Sequence, residues 1–283
     1  MSYDYHRPAT LEEALRLATE IPGSRFIAGG TDLLVPESNG RLAPPALISL
    51  RRLPELGDIS VSDRVRIGAT VPLTDILAHP EISTRYPALA ASIRVLGSPQ
   101  IRNVATLGGN LCNASPAADT APALLAYAAT VEIRGLEATR ELPLEDFFLG
   151  PGETALQPGE ILTAVWLAPP AEGARSVFLR QGRVTMDLAI ASVAAFARFD
   201  GASFTGVRLA AGAVAPTPVR LRRTEAVVEG TSLDSGIRAE AAKIAREEIS
   251  PISDLRSSAS YRTHLTGVFV ERALIALTEE TPR

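Results

Sequence analysis

Thr106-Leu107-Gly108-Gly109-Asn110-Leu111-Cys112-Asn113-Ala114-Ser115-Pro116-Ala117-Ala118-Asp119 is the stretch on which the reading of this chain turns, and its counterpart is Ile27-Ala28-Gly29-Gly30-Thr31-Asp32. Each holds a Gly-Gly pair behind a segment that reads as extended. Glycine pairs let consecutive backbone N–H groups turn toward one point, and such nests take the negative oxygens of a pyrophosphate without lysine or arginine. For either pair alone a tight strand connection is the plain alternative. Two nests far apart in sequence imply a dinucleotide held between two lobes.

Working outward, Thr10 and Glu13 form a Thr-x-x-Glu capping box ahead of Leu11, Ala14, Leu15 and Ala18, which predicts a short amphipathic helix ended by Pro22-Gly23. Arg25-Phe26-Ile27 then reads as a strand that delivers the first glycine turn. The order helix, strand, turn differs from the strand, G-x-G-x-x-G, helix order of a Rossmann unit, and the glycine spacing differs as well. Strands are predicted at 46–50, 59–61, 65–67, 131–134 and 161–167. Helices are predicted over 88–96, stopping at Gly97, and through 122–128, with Asp119 or Thr120 as cap.

Pro169-Pro170-Ala171-Glu172-Gly173 breaks all periodicity, and the domain boundary is placed there. Beyond it, strands are expected at 177–180, 188–199 and 207–211, with Asp200-Gly201 as a hairpin turn, followed by helices over 236–248 and 261–277. The chain therefore reads as a domain over 1–172, with lobes of about 1–55 and 56–172, and a C-terminal sheet backed by helices over 173–283.

Composition narrows the function. The chain has 283 residues, 46% of them hydrophobic and 21% charged, with a net charge of −4, the profile of an ordinary globular protein of two or more domains. The acidic balance argues against a nucleic-acid partner. Met1–His6 lacks a basic segment followed by an apolar one, so a cytoplasmic location is expected, and the ten-residue apolar run 188–197 is far short of the roughly 20 residues of a membrane helix. Cys112 is the single cysteine, which excludes an intrachain disulfide or an iron–sulfur cluster bound by this chain alone. His6, His79 and His264 stand apart, so no metal site is expected.

The polar segment after the second glycine pair suits a bound polyol: asparagine amides and the Asp119 carboxylate can hydrogen-bond ribityl or ribose hydroxyls while apolar walls enclose a ring system. The alternative is that Asn113, Ser115 and Asp119 only satisfy turn and cap geometry. The longer strings 28–33 and 106–119 closely resemble the two FAD-pyrophosphate segments of the flavoprotein (medium) subunit of molybdenum hydroxylases, the carbon monoxide dehydrogenase and xanthine dehydrogenase type. Pro99–Asn103, Arg183–Ala189, Ile252–Arg256 and Ser260–Arg262 resemble the same family, in the same order along the chain.

That resemblance implies an α+β architecture: a two-lobed FAD-binding fold of the vanillyl-alcohol oxidase type followed by a small α+β C-terminal domain. It implies that Ala28, Gly29, Gly30, Thr31 and Asp32, with Thr106, Leu107, Gly108, Gly109 and Asn110, cradle the pyrophosphate, and that Asp119 hydrogen-bonds the ribityl or neighbouring hydroxyls. Leu156 corresponds to an apolar flavin neighbour or to simple packing. Arg180 stands where several relatives carry a lysine near the cofactor, or is a solvent-facing strand residue. Phe178 is a candidate cover for the isoalloxazine face, and Cys112 reads as a packing residue, not a nucleophile.

The function implied is that of an electron relay: FAD receives electrons from a partner [2Fe-2S] small subunit, itself served by a molybdopterin-containing large subunit, and passes them to an external electron acceptor. No catalytic residue is assigned to this chain. The lone cysteine argues against the subtype with a [4Fe-4S] cluster in this subunit. A self-sufficient FAD-dependent oxidase or dehydrogenase is the alternative, and it would need a substrate pocket and a base that the sequence does not display. A non-catalytic assembly module that has kept the fold is a third reading, against which the retained glycine turns and Asp119 argue.

Overall fold

A computed structural model describes residues 3–35 and 43–279. The first sheet has three parallel strands, β1 (Asp4–His6), β2 (Arg25–Ile27) and β3 (Ala46–Ser49), in the order β1-β3-β2. Helix Leu11–Glu20 covers it. Its cap is the one expected: Thr10 Oγ1 accepts from Glu13 N at 3.1 Å, while Glu13 Oε2 reaches back to Ala9 N at 2.7 Å. Leu11, Ala14 and Leu15 bury against Ile48, Leu53 and Leu56.

The next strands are β4 (Ile59–Val61), β5 (Val65–Gly68), β6 (Thr130–Arg134), β7 (Thr139–Pro143), the small β8–β9 pair (Phe148–Gly150 and Glu153–Thr154) and β10 (Ile161–Leu167). Five of them form an antiparallel sheet in the order β4-β5-β10-β6-β7. Between β5 and β6 the chain runs through short helices, Leu73–Ala78, Pro80–Arg85, Pro87–Val95, Pro99–Arg102, Leu107–Cys112 and Thr120–Ala126. Proline begins three of them, supplying the φ of a first helical residue where the missing N–H costs nothing. Only two of these helices were legible in the sequence, because segments this short span too little of a 3.6-residue period to show a stripe.

The last sheet is antiparallel, β11 (Ala174–Gln181), β12 (Ala191–Phe199), β13 (Phe204–Gly212) and β14 (Val219–Arg220) in sequence order. Both of its faces are covered. Val193, Ala195 and Ala197 of β12 pack with Val270, Ala273 and Leu274 of the long helix Ala259–Thr278, while Ala194 and Phe196 belong to the core that contains Leu124, Tyr127 and Val131. That is why 191–197 reads as an apolar run interrupted only by the buried Ser192 and not as an alternating one. The strand begins three residues later than expected because Ile190 spends its N–H on Gln181 O and its carbonyl on Arg262. The Tyr127 hydroxyl, bonded to Ser176 of β11 and accepting from Ala88 N at 3.1 Å, ties the helices to this sheet. The fold is α+β throughout.

Candidate functional site

The first glycine turn leaves the carboxyl end of β2. Ile27 O accepts from Leu50 N, and then the N–H groups of Ala28, Gly29, Gly30, Thr31 and Asp32 donate to no described residue. Gly30 has φ +75°, the left-handed conformation that lets neighbouring amides converge. Gly29 is fixed by packing: a Cβ there would lie 2.0 Å from Val104 O and 3.0 Å from Ala105 Cα. The turn therefore rests on the backbone that leads into Thr106, and the two glycine segments meet in space.

The second segment differs from the expectation in its conformation. Thr106 is a helix cap whose Oγ1 accepts from Gly109 N at 3.1 Å, and Leu107–Cys112 is helical, with Gly108 and Gly109 in its first turn. Its amides are already engaged: Leu107 N with Val71 O, Gly108 N with Ala69 O at 2.9 Å, and Asn110 N with Thr106 O at 3.0 Å. Gly108 has no room for a side chain, since its Cβ would lie 2.6 Å from Ala69 Cβ and 2.7 Å from Ala69 O. Gly109 is exposed, and a Cβ there would meet only the Thr106 hydroxyl at 2.9 Å. The second segment thus offers a bare glycine face and the half-buried Asn110, whose Oδ1 accepts from Thr120 Oγ1 at 2.6 Å. The free amides lie in the first.

Asp119 does not cap the following helix, and neither does Thr120, which turns to Asn110. The Asp119 backbone is itself helical (φ −64°, ψ −29°), so its carboxylate points away from the amides it would have capped. It meets Arg180 instead: Arg180 Nε donates to Asp119 Oδ1 at 2.8 Å, with both side chains nearly buried. Burial pushes the Asp119 carboxyl up to about 6, and the Arg180 charge and hydrogen bond pull against that shift. Arg180, from β11, also donates through Nη2 to the carbonyl of Asp187. It is therefore not a solvent-facing strand residue.

Leu156, Phe178 and Cys112 are half-buried, and all three pack against the one core that runs behind Leu107 and Leu111. Burial pushes the Cys112 thiol up to about 12, which favours the protonated thiol over the nucleophilic thiolate at neutral pH. Among the described residues no three His, Cys, Asp or Glu side chains gather as a metal site would require. Sequence reasoning gave no role to Asp187, Asp254 and Arg262, although it quoted the strings that hold them. Arg262 stands among Ser260, Tyr261, Thr263 and His264, so no local pattern marked it as a buried cation.

Residues 1–169 match the family described as the FAD-binding domain in molybdopterin dehydrogenase, and residues 177–277 match the CO dehydrogenase flavoprotein C-terminal domain. The chain belongs to the molybdopterin-dehydrogenase FAD-binding family. Among the relatives of this FAD subunit are the xanthine dehydrogenase FAD-binding subunit of Escherichia coli O157:H7, 32% identical over 95% of this chain and 94% of that protein, and the carbon monoxide dehydrogenase medium chain of Afipia carboxidovorans, 31% identical over 96% of each. Among solved structures, the carbon monoxide dehydrogenase of Hydrogenophaga pseudoflava superposes with a TM-score of 0.95 at 31% identity, covering 98% of this chain and 97% of that one.

The cofactor is FAD, and the residues present fit it. Five consecutive N–H groups with no acceptor among the described residues stand on a loop that another backbone holds against a bare glycine face. That combination suits a pyrophosphate bound by main-chain donors.

Proposed function

We propose that this FAD subunit is the electron-transfer component of a molybdenum hydroxylase complex, taking electrons from a partner [2Fe-2S] small subunit and delivering them to an external acceptor, while a molybdopterin-containing large subunit oxidises the substrate. The observation that carries the reading is the run of amides Ala28–Asp32, without acceptors among the described residues, packed on Val104–Ala105. These residues hold the pyrophosphate, with Thr106–Asn110 as the facing wall. Asp119 and Arg180 present a carboxylate and a guanidinium to the cofactor's polyol and ring, and Leu156 lies on its apolar side.

Bound FAD supplies the chemistry, exchanging electrons singly or in pairs. The chain's own residues bind it, orient it and set the charge around it. The division between a cofactor domain over 1–172 and a C-terminal domain over 173–283 is part of this proposal, as is a cytoplasmic setting. The relatives named for xanthine and for carbon monoxide share this architecture, which supports placing substrate choice in another subunit.

The test is the visible spectrum of the chain purified alone and with the proteins that accompany it from its native host, with released cofactor identified after denaturation. Stoichiometric FAD, with iron–sulfur absorbance only in the complex, supports the relay. Oxidation of an organic substrate by the isolated chain would favour the self-sufficient oxidase. Absence of FAD in both preparations overturns the reading.

A further inference from the structure

Arg262, on helix Ala259–Thr278, is a nearly buried charge with 4% of its side chain exposed. Its Nη1 donates to Ile190 O at 2.6 Å and Ala213 O at 3.0 Å, and its Nη2 donates to Asp254 Oδ1 at 2.8 Å. Each of the three acceptors governs a different segment.

Ile190 closes the neck of the excursion between β11 and β12, since its N–H donates to Gln181 O at 2.7 Å. Within that excursion Asp187 takes Arg183 Nε at 2.6 Å on its carboxylate and Arg180 on its carbonyl. Ala213 sits at φ +63°, a conformation that an alanine keeps only when its surroundings fix it. Its N–H donates to Pro116 O at 2.7 Å, three residues before Asp119, while its carbonyl faces Arg262. Asp254 accepts from Arg256 N and Ser257 N as well as from Arg262. Burial resists its ionisation, but those bonds outweigh it and hold the carboxyl well below the usual range.

A path of contacts therefore runs from Asp119 through Arg180, Asp187, the 182–190 excursion and Ile190 to Arg262, and returns through Ala213 and Pro116 to Asp119. Arg256 lies within electrostatic range of Asp187, as Asp254 does of Arg183. The guanidinium divides these three bonds between two nitrogens in a fixed plane, whereas a lysine ammonium would have to make all three from one nitrogen at a different position.

We propose that Arg262, anchored by Asp254, is a positioning residue for the cofactor site: it fixes the two segments that converge on the Asp119–Arg180 pair and thereby sets how that pair meets FAD. The inference rests on the FAD reading. It assigns to the C-terminal helix a part in cofactor geometry that residues touching FAD do not reveal.

The test compares Arg262→Lys and Asp254→Asn with Val270→Ala, a cavity variant on the same helix whose side chain faces the C-terminal core. All are made in the full chain and purified in its native complex. FAD dissociation is measured by flavin fluorescence, flavin environment by visible circular dichroism, and stability by thermal unfolding. Arg262→Lys and Asp254→Asn are expected to weaken FAD binding roughly tenfold and alter the flavin dichroism, as loss of a supporting shell does. Val270→Ala lowers the unfolding temperature and leaves the dichroism as in the parent.

If Val270→Ala changes affinity and dichroism as much as Arg262→Lys at an equal loss of stability, Arg262 is merely structural and the proposal falls. Unchanged FAD binding and dichroism in Asp254→Asn and in any folded Arg262→Lys also overturn it. A parent protein that binds no FAD defeats the functional reading itself, which is a distinguishable result.

Discussion

Arg180 Nε lies 2.8 Å from Asp119 Oδ1, so a strand of the last sheet supplies the counter-ion for the carboxylate that ends the second glycine segment. Removing Asp119 leaves Arg180 charged, nearly buried and unpaired, while removing Arg180 drives the buried Asp119 carboxyl further toward its protonated form. Arg180→Met or Asp119→Ala is therefore expected to destabilise the fold by about 3 kcal/mol, with the double variant costing less than the sum. Urea unfolding of the four proteins measures the coupling, and strict additivity would show that the pair contributes nothing.

The same carboxylate predicts a pH dependence. Burial raises Asp119 from 3.8 to about 6, so between those values the native chain keeps a proton that the unfolded chain has lost. Its contribution to stability is fully present below the unfolded value and is lost as pH rises through about 6. FAD binding runs the other way, because an ionised carboxylate accepts a hydroxyl's hydrogen bond more strongly than the protonated acid does. Affinity should fall as pH drops through about 6, by at most about tenfold per unit, and Asp119→Asn should remove that slope. Isothermal titration from pH 5 to 8 reads both.

Gly29 and Gly109 should separate packing from ligand approach. Gly29→Ala drives a Cβ into Val104 O and has to part the two segments, so FAD affinity and stability fall together. In Gly109→Val the added Cβ meets the Thr106 hydroxyl, for an expected cost of about 1 kcal/mol of cap stability, yet the side chain occupies the face offered to the pyrophosphate and should still lower affinity by tenfold or more. Equal FAD binding in Gly109→Val and the parent would remove Thr106–Asn110 from the site.

Thr10→Ala deletes the capping bond to Glu13 N on the helix that covers the parallel sheet. A loss of about 1 kcal/mol is expected, with FAD affinity unchanged. Denaturation and fluorescence titration on one preparation check both parts.

With its thiol pushed up to about 12, Cys112 should resist alkylation by iodoacetamide at pH 8 in the native protein and react fully in urea. Rapid native labelling followed by mass spectrometry would contradict the burial that raises it.

The sequence by itself determined the features that depend on neighbours along the chain. Thr10 and Glu13 announced their helix, Arg25–Ile27 its strand, and the two Gly-Gly pairs the places where backbone approaches backbone or ligand. The strings around them carried the family. Local chemistry was enough there, because a capping box or a glycine turn is satisfied within a few residues.

Tertiary structure decided what those groups face. Nothing near Thr106 in the chain foretold that the amides of Leu107 and Gly108 would be taken by Val71 and Ala69, so that the donors without an acceptor among the described residues are those of the 28–32 loop. Asp119 lies 61 positions from Arg180, and Arg262 lies 72 from Ile190, so their pairing follows from which sheet face and helix come together. Side chains this far apart in sequence meet only after the cores have closed. Burial then makes each unpaired charge costly, and that cost selects the partner.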